Sequence, residues 1–451
     1  MDRPTPASGP EHAERPPLPG ATRVVVVGGG VAGVSTALFL AEWGVPVVLC
    51  EKGRVAGEQS SRNWGWIRRQ GRDPRELPLM LESLALWRRL ASELDEDIGF
   101  RQAGCTYLCA TDEELATREA WLAHARAFQI GSRMLSSAEV DSLLGQSARR
   151  FGGALHTPDD AQAEPGLAVP ALARRAAALG AVVAENTAVR GVIRAGGRIS
   201  GVVTEHGPIA CEAVVLAGGV WSRTFMENLG LDLPQLAIRS SVIRTGPAPE
   251  IAPGAIGATG ASIRRRADGG YTIGRTGAAQ FEIVPAAFRH LRAFLPVLKK
   301  RWRIVDMRVG ASFFGPLGRK RWSNDEASPF ETLRVYDPAP NERLLDDVMT
   351  SARDLFPQLA DAAPVQRWAG LIDVTPDEVP VIDTVPEVPG LVLATGLSGH
   401  GFGLGPGVGL LAAQMATGRT PCVDPSHYAL SRFSGQRVGA ARPEATAERA
   451  A

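Results

Sequence analysis

The stretch Arg23-Val24-Val25-Val26-Val27-Gly28-Gly29-Gly30-Val31-Ala32-Gly33 decides the fold. Four consecutive valines fit a strand buried on both faces, where no alternation with polar residues is needed. The Gly-x-Gly-x-x-Gly that follows opens a helical pattern carried by Val34, Leu38, Leu40 and Ala41. In such a turn Gly28 bends the chain, Gly30 leaves bare backbone for a pyrophosphate, and Gly33 lets helix and strand pack closely. The unpaired N–H groups at the helix start attract phosphate charge. The expected cradle is therefore Gly28, Gly30, Val31, Ala32 and Gly33. A second apolar run, Val45-Pro46-Val47-Val48-Leu49-Cys50, ends in Glu51, with Lys52 beside it. Glu51 lies 18 positions after Gly33, close to the roughly 20 expected of a ribose-binding acid. This reads as a dinucleotide-binding unit; a glycine-rich turn without a ligand is the alternative.

Outward from that stretch, 451 residues exceed one simple core, so two domains, contiguous or interleaved in sequence, are expected. Charged residues make up 22% and the formal net charge is +1, which provides no electrostatic footprint for nucleic acid or an anionic membrane. Five scattered cysteines (Cys50, Cys105, Cys109, Cys211, Cys422) with no C-x-x-C argue for a reducing, cytoplasmic compartment and against a zinc site or any other metal centre. No apolar run approaches the roughly 18 residues of a membrane span. The proline-rich first 20 residues and the Ala/Arg/Glu-rich tail from 434 read as disordered.

After Glu51 comes Ser60-Ser61-Arg62-Asn63-Trp64-Gly65-Trp66-Ile67-Arg68, a polar and aromatic loop without periodicity, and long loops of this kind are usually functional. Leu77, Met80, Leu81, Leu84, Trp87, Leu90 and Leu94 mark an amphipathic helix. Thr111 with Glu114, and Ser136 with Glu139, form capping-box patterns. Gly196-Gly197 joins two strands as a hairpin, and Ala213-Val214-Val215-Leu216-Ala217-Gly218 returns to a buried strand. Residues 235–340 alternate and are Arg-rich, as in an antiparallel sheet with one wet face. Leu391–Gly396 is again a buried strand, followed by a glycine-rich run to Gly409 that is expected to precede a helix beginning near Leu410.

These motifs, taken in order, resemble the FAD-dependent D-amino-acid oxidase superfamily. The residues that carry the resemblance are the first glycine fingerprint with Glu51, Ser60–Asn63, Val214–Ser222, the segment Trp368-Ala369-Gly370-Leu371-Ile372-Asp373-Val374-Thr375-Pro376-Asp377, and the Gly396–Gly409 run. The chain looks most similar to the beta subunit of multi-subunit sarcosine oxidase and to opine (octopine or nopaline) oxidase subunits. The resemblance implies an α/β architecture: a glutathione-reductase-like FAD-binding Rossmann domain (21–75, 150–225, 365–433) with an inserted antiparallel-sheet substrate domain (76–149, 226–364). It further implies FAD contacts from Val189, Ala217, Gly218, Trp221, Gly370, Gly399, His400, Gly401, Phe402 and Gly403, besides the first cradle, Glu51, Lys52 and Ser60–Asn63. Where D-amino-acid and glycine oxidases carry an Arg to clamp the substrate carboxylate, this chain has Ile372. Positions where relatives link flavin covalently lack the linking residue, near Gly65, near Gly370 and at Gly403, so the FAD is expected to be non-covalent.

In such enzymes a flavin takes a hydride from the carbon beside an amine nitrogen, and the resulting imine is hydrolysed. The implied reaction is oxidation of the C–N bond of an amino acid or an N-substituted, sarcosine- or opine-like amino acid. The 396–409 run offers N–H groups for the reduced flavin. Arg68 is the first candidate for the carboxylate clamp, ahead of Arg62 and Arg239, because guanidinium binds carboxylate in bidentate fashion. Trp64 and Trp66 fit a pocket wall, though core packing accounts for them equally well. His400 fits a donor to flavin or an acceptor of the amine proton; a hydrogen-bonded structural histidine is the alternative. Asp373 and Asp377 are expected to order their loop. An FAD monooxygenase would show an acid after Gly396, where this chain has Leu397. A flavin-bearing subunit without its own turnover is the other reading, with a homo-oligomer or a hetero-oligomeric partner subunit in view.

Overall fold

The computed structural model describes residues 17–145, 150–301, 305–310, 313, 315 and 321–434. Most of both expected tails, 1–16 and 435–451, lies outside the described residues. The valine run forms β1 (Val24–Val27) inside a six-stranded sheet. β2 (Val47–Cys50) and β4 (Ala213–Leu216) flank it in parallel, with Val24 opposite Val47 on one side and Ala213 on the other. β3 (Val182–Ala184) adds to β2 and β8 (Leu391–Thr395) to β4, both parallel, and β7 (Val381–Thr384) closes the edge antiparallel to β8. Helices cover one face of the sheet and the antiparallel strands of the 189–210 region pack on the other, so Val24, Val25 and Val26 are wholly buried, which is why the run has no polar alternation. The expected hairpin forms between Val189–Ala195 and Arg198–Thr204, with Gly196 and Gly197 at φ 57° and 80°.

The helices sort by packing. α1 (Val31–Glu42) follows β1, α2 (Leu77–Glu93) buries Leu79, Met80, Leu84, Trp87 and Leu90, and α3 (Pro165–Ala178) leads to β3. α4 spans Gly401–Thr417, so it begins nine residues earlier than expected and most of the glycine run lies within it. A Cβ on Gly405 would overlap Val31, and one on Gly409 would sit 2.7 Å from the backbone of Ser35 and Thr36. A Cβ on Gly407 would sit 2.8 Å from the Leu79 carbonyl on α2. The glycines are therefore contact points at which α4 touches α1 and α2 backbone to backbone. Periodicity does not reveal such a helix, because glycines take up several of the buried positions between Phe402, Leu404, Val408 and Leu411.

A second, ten-stranded sheet is organised by β5 (Leu236–Thr245), which pairs antiparallel with β6 (Pro364–Val374) from Leu236 opposite Val374 to Thr245 opposite Pro364. Three boundaries move as a result. Gly153–Thr157, expected with the nucleotide domain, pairs with Cys105–Cys109 in this second sheet. β6, also expected with the nucleotide domain, belongs to the second sheet, while α2, expected in the substrate domain, packs into the core of α1 and α4. In each case hydrogen-bond register or packing partner, invisible in local sequence, sets the assignment. Both capping boxes form, at Thr111 with Glu114 and Ser136 with Glu139.

The α1–α4 contact gives a direct test. Gly409→Leu forces apart two backbones already in contact and should cost more than the roughly 1–3 kcal/mol of ordinary overpacking. Gly418→Ala, at the left-handed end of α4 (φ 67°) with open space around it, should cost only about 1 kcal/mol. Thermal melts of the two variants beside the parent protein should rank them in that order.

Candidate active site

Both helix starts meet one cleft. Gly28, Gly30, Val31 and Ala32 line it from the β1–α1 turn, and Gly399, Gly401 and Phe402 from the start of α4. Neither α1 nor α4 has a side-chain cap or an acidic residue in its first turn. Two positive dipole ends therefore face the same space. Glu51, Lys52, Ser60, Asn63, Val189, Ala217, Gly218 and Trp221 complete the part of the wall expected from sequence. Ser60 Oγ accepts the Val31 N–H at 2.9 Å, and a Cβ on Gly30 would come 3.1 Å from that oxygen. Glu51 accepts the N–H groups of Gly29 and Gly53, each at 2.7 Å. Burial pushes its carboxyl up to about 7 against those two N–H groups. Bare backbone, two uncapped helix starts and a carboxylate at the end of β2 fit an elongated dinucleotide with a pyrophosphate at its middle.

Sequence reasoning missed Glu58 and Phe330, both in the cleft wall. Glu58 accepts from Lys52 Nζ at 2.7 Å and from Trp221 Nε1 at 2.9 Å, while Lys52 lies 4.4 Å over the Trp221 ring. Lys52 also donates to the carbonyls of Leu333 and Arg334, and Tyr336 N–H donates to Glu58. The chain around 330–336 is thus strapped across residues 52–58. No local signal announces it, since the partners are some 280 positions apart.

At the other end, Asp373 orders the loop ahead of α4, as expected. Its carboxylate accepts from Gly396 N at 2.7 Å and Leu397 N at 3.1 Å, and its carbonyl accepts from Ser398 N at 2.8 Å. Ser398 is held at φ 50°. Ile372 lines the cleft beside this loop.

Several expected residues stand outside the cleft wall. Gly33 is a packing glycine, since a Cβ there would overlap the Gly28 carbonyl. Gly370 leaves room for Gln59, and Gly403 sits against Ile67 and Met80. Ser61 bonds the Glu58 carbonyl. Arg62 donates to the carbonyls of Tyr336 (2.7 Å) and Gly57 (3.0 Å) and pairs with Asp337, so it is a structural tie and not a free clamp. Arg239 donates to Gln280 and to the Ala339 carbonyl.

Arg68, Trp66 and His400 gather instead in a buried cluster next to Gly399–Phe402. Trp66 packs edge-on against Trp64 (5.6 Å) and Tyr107 (5.9 Å). Arg68 donates to the Gln70 carbonyl and lies 5.5 Å over the Tyr107 ring. His400 Nδ1 meets Glu76 Oε1 at 3.0 Å; Glu76 is wholly buried and precedes α2, just as His400 precedes α4. Burial and the nearby Arg72 charge push His400 below its ordinary value, against the pull of Glu76. Asp160 anchors the segment, accepting from Arg69 Nε (2.9 Å) and from the N–H groups of Arg69 (3.0 Å) and Gln70 (3.1 Å). Within this cluster Trp66 Nε1, Gln70 Oε1, Arg72 Nη1, Glu76 Oε2 and Gln162 Oε1 are all buried without a partner. Buried orphan polar atoms are rare in folded proteins, and with Arg69 Nη2 six of the 17 found among the described residues fall in this cluster.

The raised Glu51 value fixes a sign. A carboxyl that ionises at about 7 folded, against 4.5 ordinarily, keeps its proton longer in the folded state. Its stabilising contribution is therefore full below the unfolded value and is lost as pH rises through the folded one. Denaturant titrations of flavin-free protein at pH 5 and pH 8 should show lower stability at pH 8, and Glu51→Gln should flatten that difference.

Comparison with known proteins agrees with this geometry. The FAD dependent oxidoreductase (DAO) family profile matches residues 23–415. The chain is 30% identical to glycine oxidase of Pseudomonas aeruginosa over 417 residues, covering 90% of this chain and 98% of that one. It is 25% identical to sarcosine oxidase subunit beta of an Arthrobacter species, covering 95% of each. Among solved structures, L-amino acid deaminase from Proteus myxofaciens in complex with anthranilate superimposes with a TM-score of 0.89 at 34% identity, covering 94% of this chain and 96% of that one. No helix among the described residues is long and apolar enough to cross a membrane. The chain belongs to the DAO family of FAD-dependent oxidoreductases.

Proposed function

We propose that this protein oxidises the C–N bond of an α-amino acid or an N-substituted α-amino acid, with an L-α-amino acid as the first substrate to test. The observation that carries the reading is the set of orphan polar atoms beside Gly399–Phe402. Trp66 Nε1 and Arg72 Nη1 are unmatched donors, whereas Gln70 Oε1, Glu76 Oε2 and Gln162 Oε1 are unmatched acceptors. A small zwitterion brings both a carboxylate, which needs donors, and an amine, which needs acceptors. The 34% identity to an L-amino acid deaminase and the 30% identity to a glycine oxidase support the same substrate class.

When bound, FAD supplies the acceptor for a hydride from the carbon beside the amine, leaving an imine that water hydrolyses. The protein's own residues do the rest. The starts of α1 and α4 favour negative charge at the pyrophosphate and ring ends of the cleft. Trp64, Trp66 and Tyr107 wall off the cluster, and Glu76 fixes the orientation of the His400 ring. His400 acts from that position on the amine's proton, and its lowered value keeps the ring neutral near pH 7. The resemblance to a beta subunit supports a partner chain, and five free thiols, four of them buried, support a reducing, cytoplasmic compartment.

Anaerobic mixing with a panel of amino acids should bleach the flavin of the purified protein; a yellow protein that none of them bleaches would leave the assembly-subunit reading. Acid precipitation should release the flavin into the supernatant, as non-covalent binding requires. Gly30→Glu, which places a charged side chain against Ser60 in the pyrophosphate cradle, should purify without flavin, whereas full absorbance near 450 nm would refute the cradle.

A further inference from the structure

We propose that Arg72, with Arg68 beside it, binds the substrate carboxylate from the 66–76 segment, while Leu371 and Ile372 of β6 contribute an apolar wall. This rests on the reading of the protein as an amino-acid oxidoreductase and goes on to name the clamp. Arg72 is 4% exposed. Its Nε donates to the Arg68 carbonyl at 3.2 Å, and its Nη1 is buried with no acceptor. A buried guanidinium with a missing partner is destabilising unless a ligand supplies that partner. A carboxylate is the group whose two oxygens match the guanidinium fork.

The charges in the cluster point the same way. Arg68, Arg69 and Arg72 bring three positive charges against two buried carboxylates, Asp160 and Glu76. Asp160 is engaged by Arg69 at 2.9 Å, and Glu76 by His400 at 3.0 Å; exposed Asp159 reaches Arg69 only at 4.0 Å. These three arginines thus exceed the two carboxylates by one when His400 is neutral, and Arg72 bears the strain. Burial first, and then repulsion from Arg68, lower its guanidinium to about 9. A bound anion relieves both effects. Tyr107 carries the Arg68 and Arg118 guanidiniums at 5.5 and 4.4 Å on its ring.

The opposite wall excludes the alternative position. Ile372 and Leu371 on β6 line the cleft together with Leu397, and Ile372 lies 3.8 Å from where a Gly399 Cβ would stand. An apolar wall there and a cation on the 66–76 segment orient the substrate with its carboxylate toward Arg72 and its side chain toward β6. The favoured substrates therefore carry apolar side chains.

The test uses flavin-loaded protein and two variants, Arg72→Met and Arg72→Lys. Benzoate serves as an unreactive carboxylate probe, followed through the visible difference spectrum of the bound flavin. Steady-state kinetics compare an apolar amino acid with its primary amide. Loss of a charge-assisted bond corresponds to roughly 10- to 100-fold in affinity. Arg72→Met should raise the benzoate Kd and the amino-acid KM by about that factor and should abolish the preference for acid over amide. General damage to the fold would not selectively remove that preference. Wild-type Kd and acid-over-amide preference in a flavin-loaded Arg72→Met would overturn the proposal. Should the Met variant fail to hold flavin, Arg72→Lys decides: it keeps the charge and loses the fork, so a raised benzoate Kd supports the clamp and a wild-type Kd overturns it. Failure of the broader reading looks different, since the wild-type protein would then bind benzoate through Arg72 yet remain unbleached by every amino acid.

Discussion

A Cβ at residue 33 would overlap the carbonyl oxygen of Gly28, and a Cβ at residue 28 would stand 2.5 Å from the carbonyl of Ala217. The close approach of strand, turn and helix at this point is the constraint on which the rest of the molecule depends. It brings the start of α1 to the carboxyl end of the parallel sheet, where β2 delivers Glu51 and β4 delivers Ala217 and Gly218. The same device recurs on the far side of α1. Gly405 and Gly409 let α4 lie directly against it, so the α4 start reaches the same cleft. Two helices that could not otherwise come so close thus direct their positive ends at one ligand.

The electrostatics of the site follow from that geometry. Helix starts left without caps, an acid raised by burial and a cluster of orphan polar atoms are each unfavourable in the protein alone. Examples of each lie along the cleft and its neighbouring cluster, whereas the helices opening at Asp112 and Ser137 have satisfied, capped starts. Destabilisation concentrated in this way is what binding sites accept in exchange for complementarity to a ligand. The strap around residues 330–336 adds a second tie, joining Lys52 and Glu58 to a segment from the opposite half of the chain.

Features decided by near neighbours were legible in the sequence. The valine run, the glycine turn, the acid after β2, both capping boxes and the Gly196-Gly197 hairpin each depend on residues within a few positions of one another. Arg62, Arg68 and Arg239 show where that stops. All three are arginines in plausible places, yet Arg62 is consumed by the carbonyls of Gly57 and Tyr336, and Arg239 by Gln280. Arg72 looked no different from its neighbours. What distinguishes it is an unpartnered, almost fully buried guanidinium set among other buried polar orphans beside the start of α4, and that is a property of everything packed around a residue.

The sequence by itself determined that a dinucleotide unit of this family is present, because a strand, a tight turn and a helix start are set by local backbone sterics and burial pattern. Only the tertiary structure decided where α4 begins, which sheet claims β6 and Gly153–Thr157, and which guanidinium is left unpaired. Glycine-to-backbone packing, strand register and the burial of a charge depend on segments far apart in the chain, and no local pattern records them.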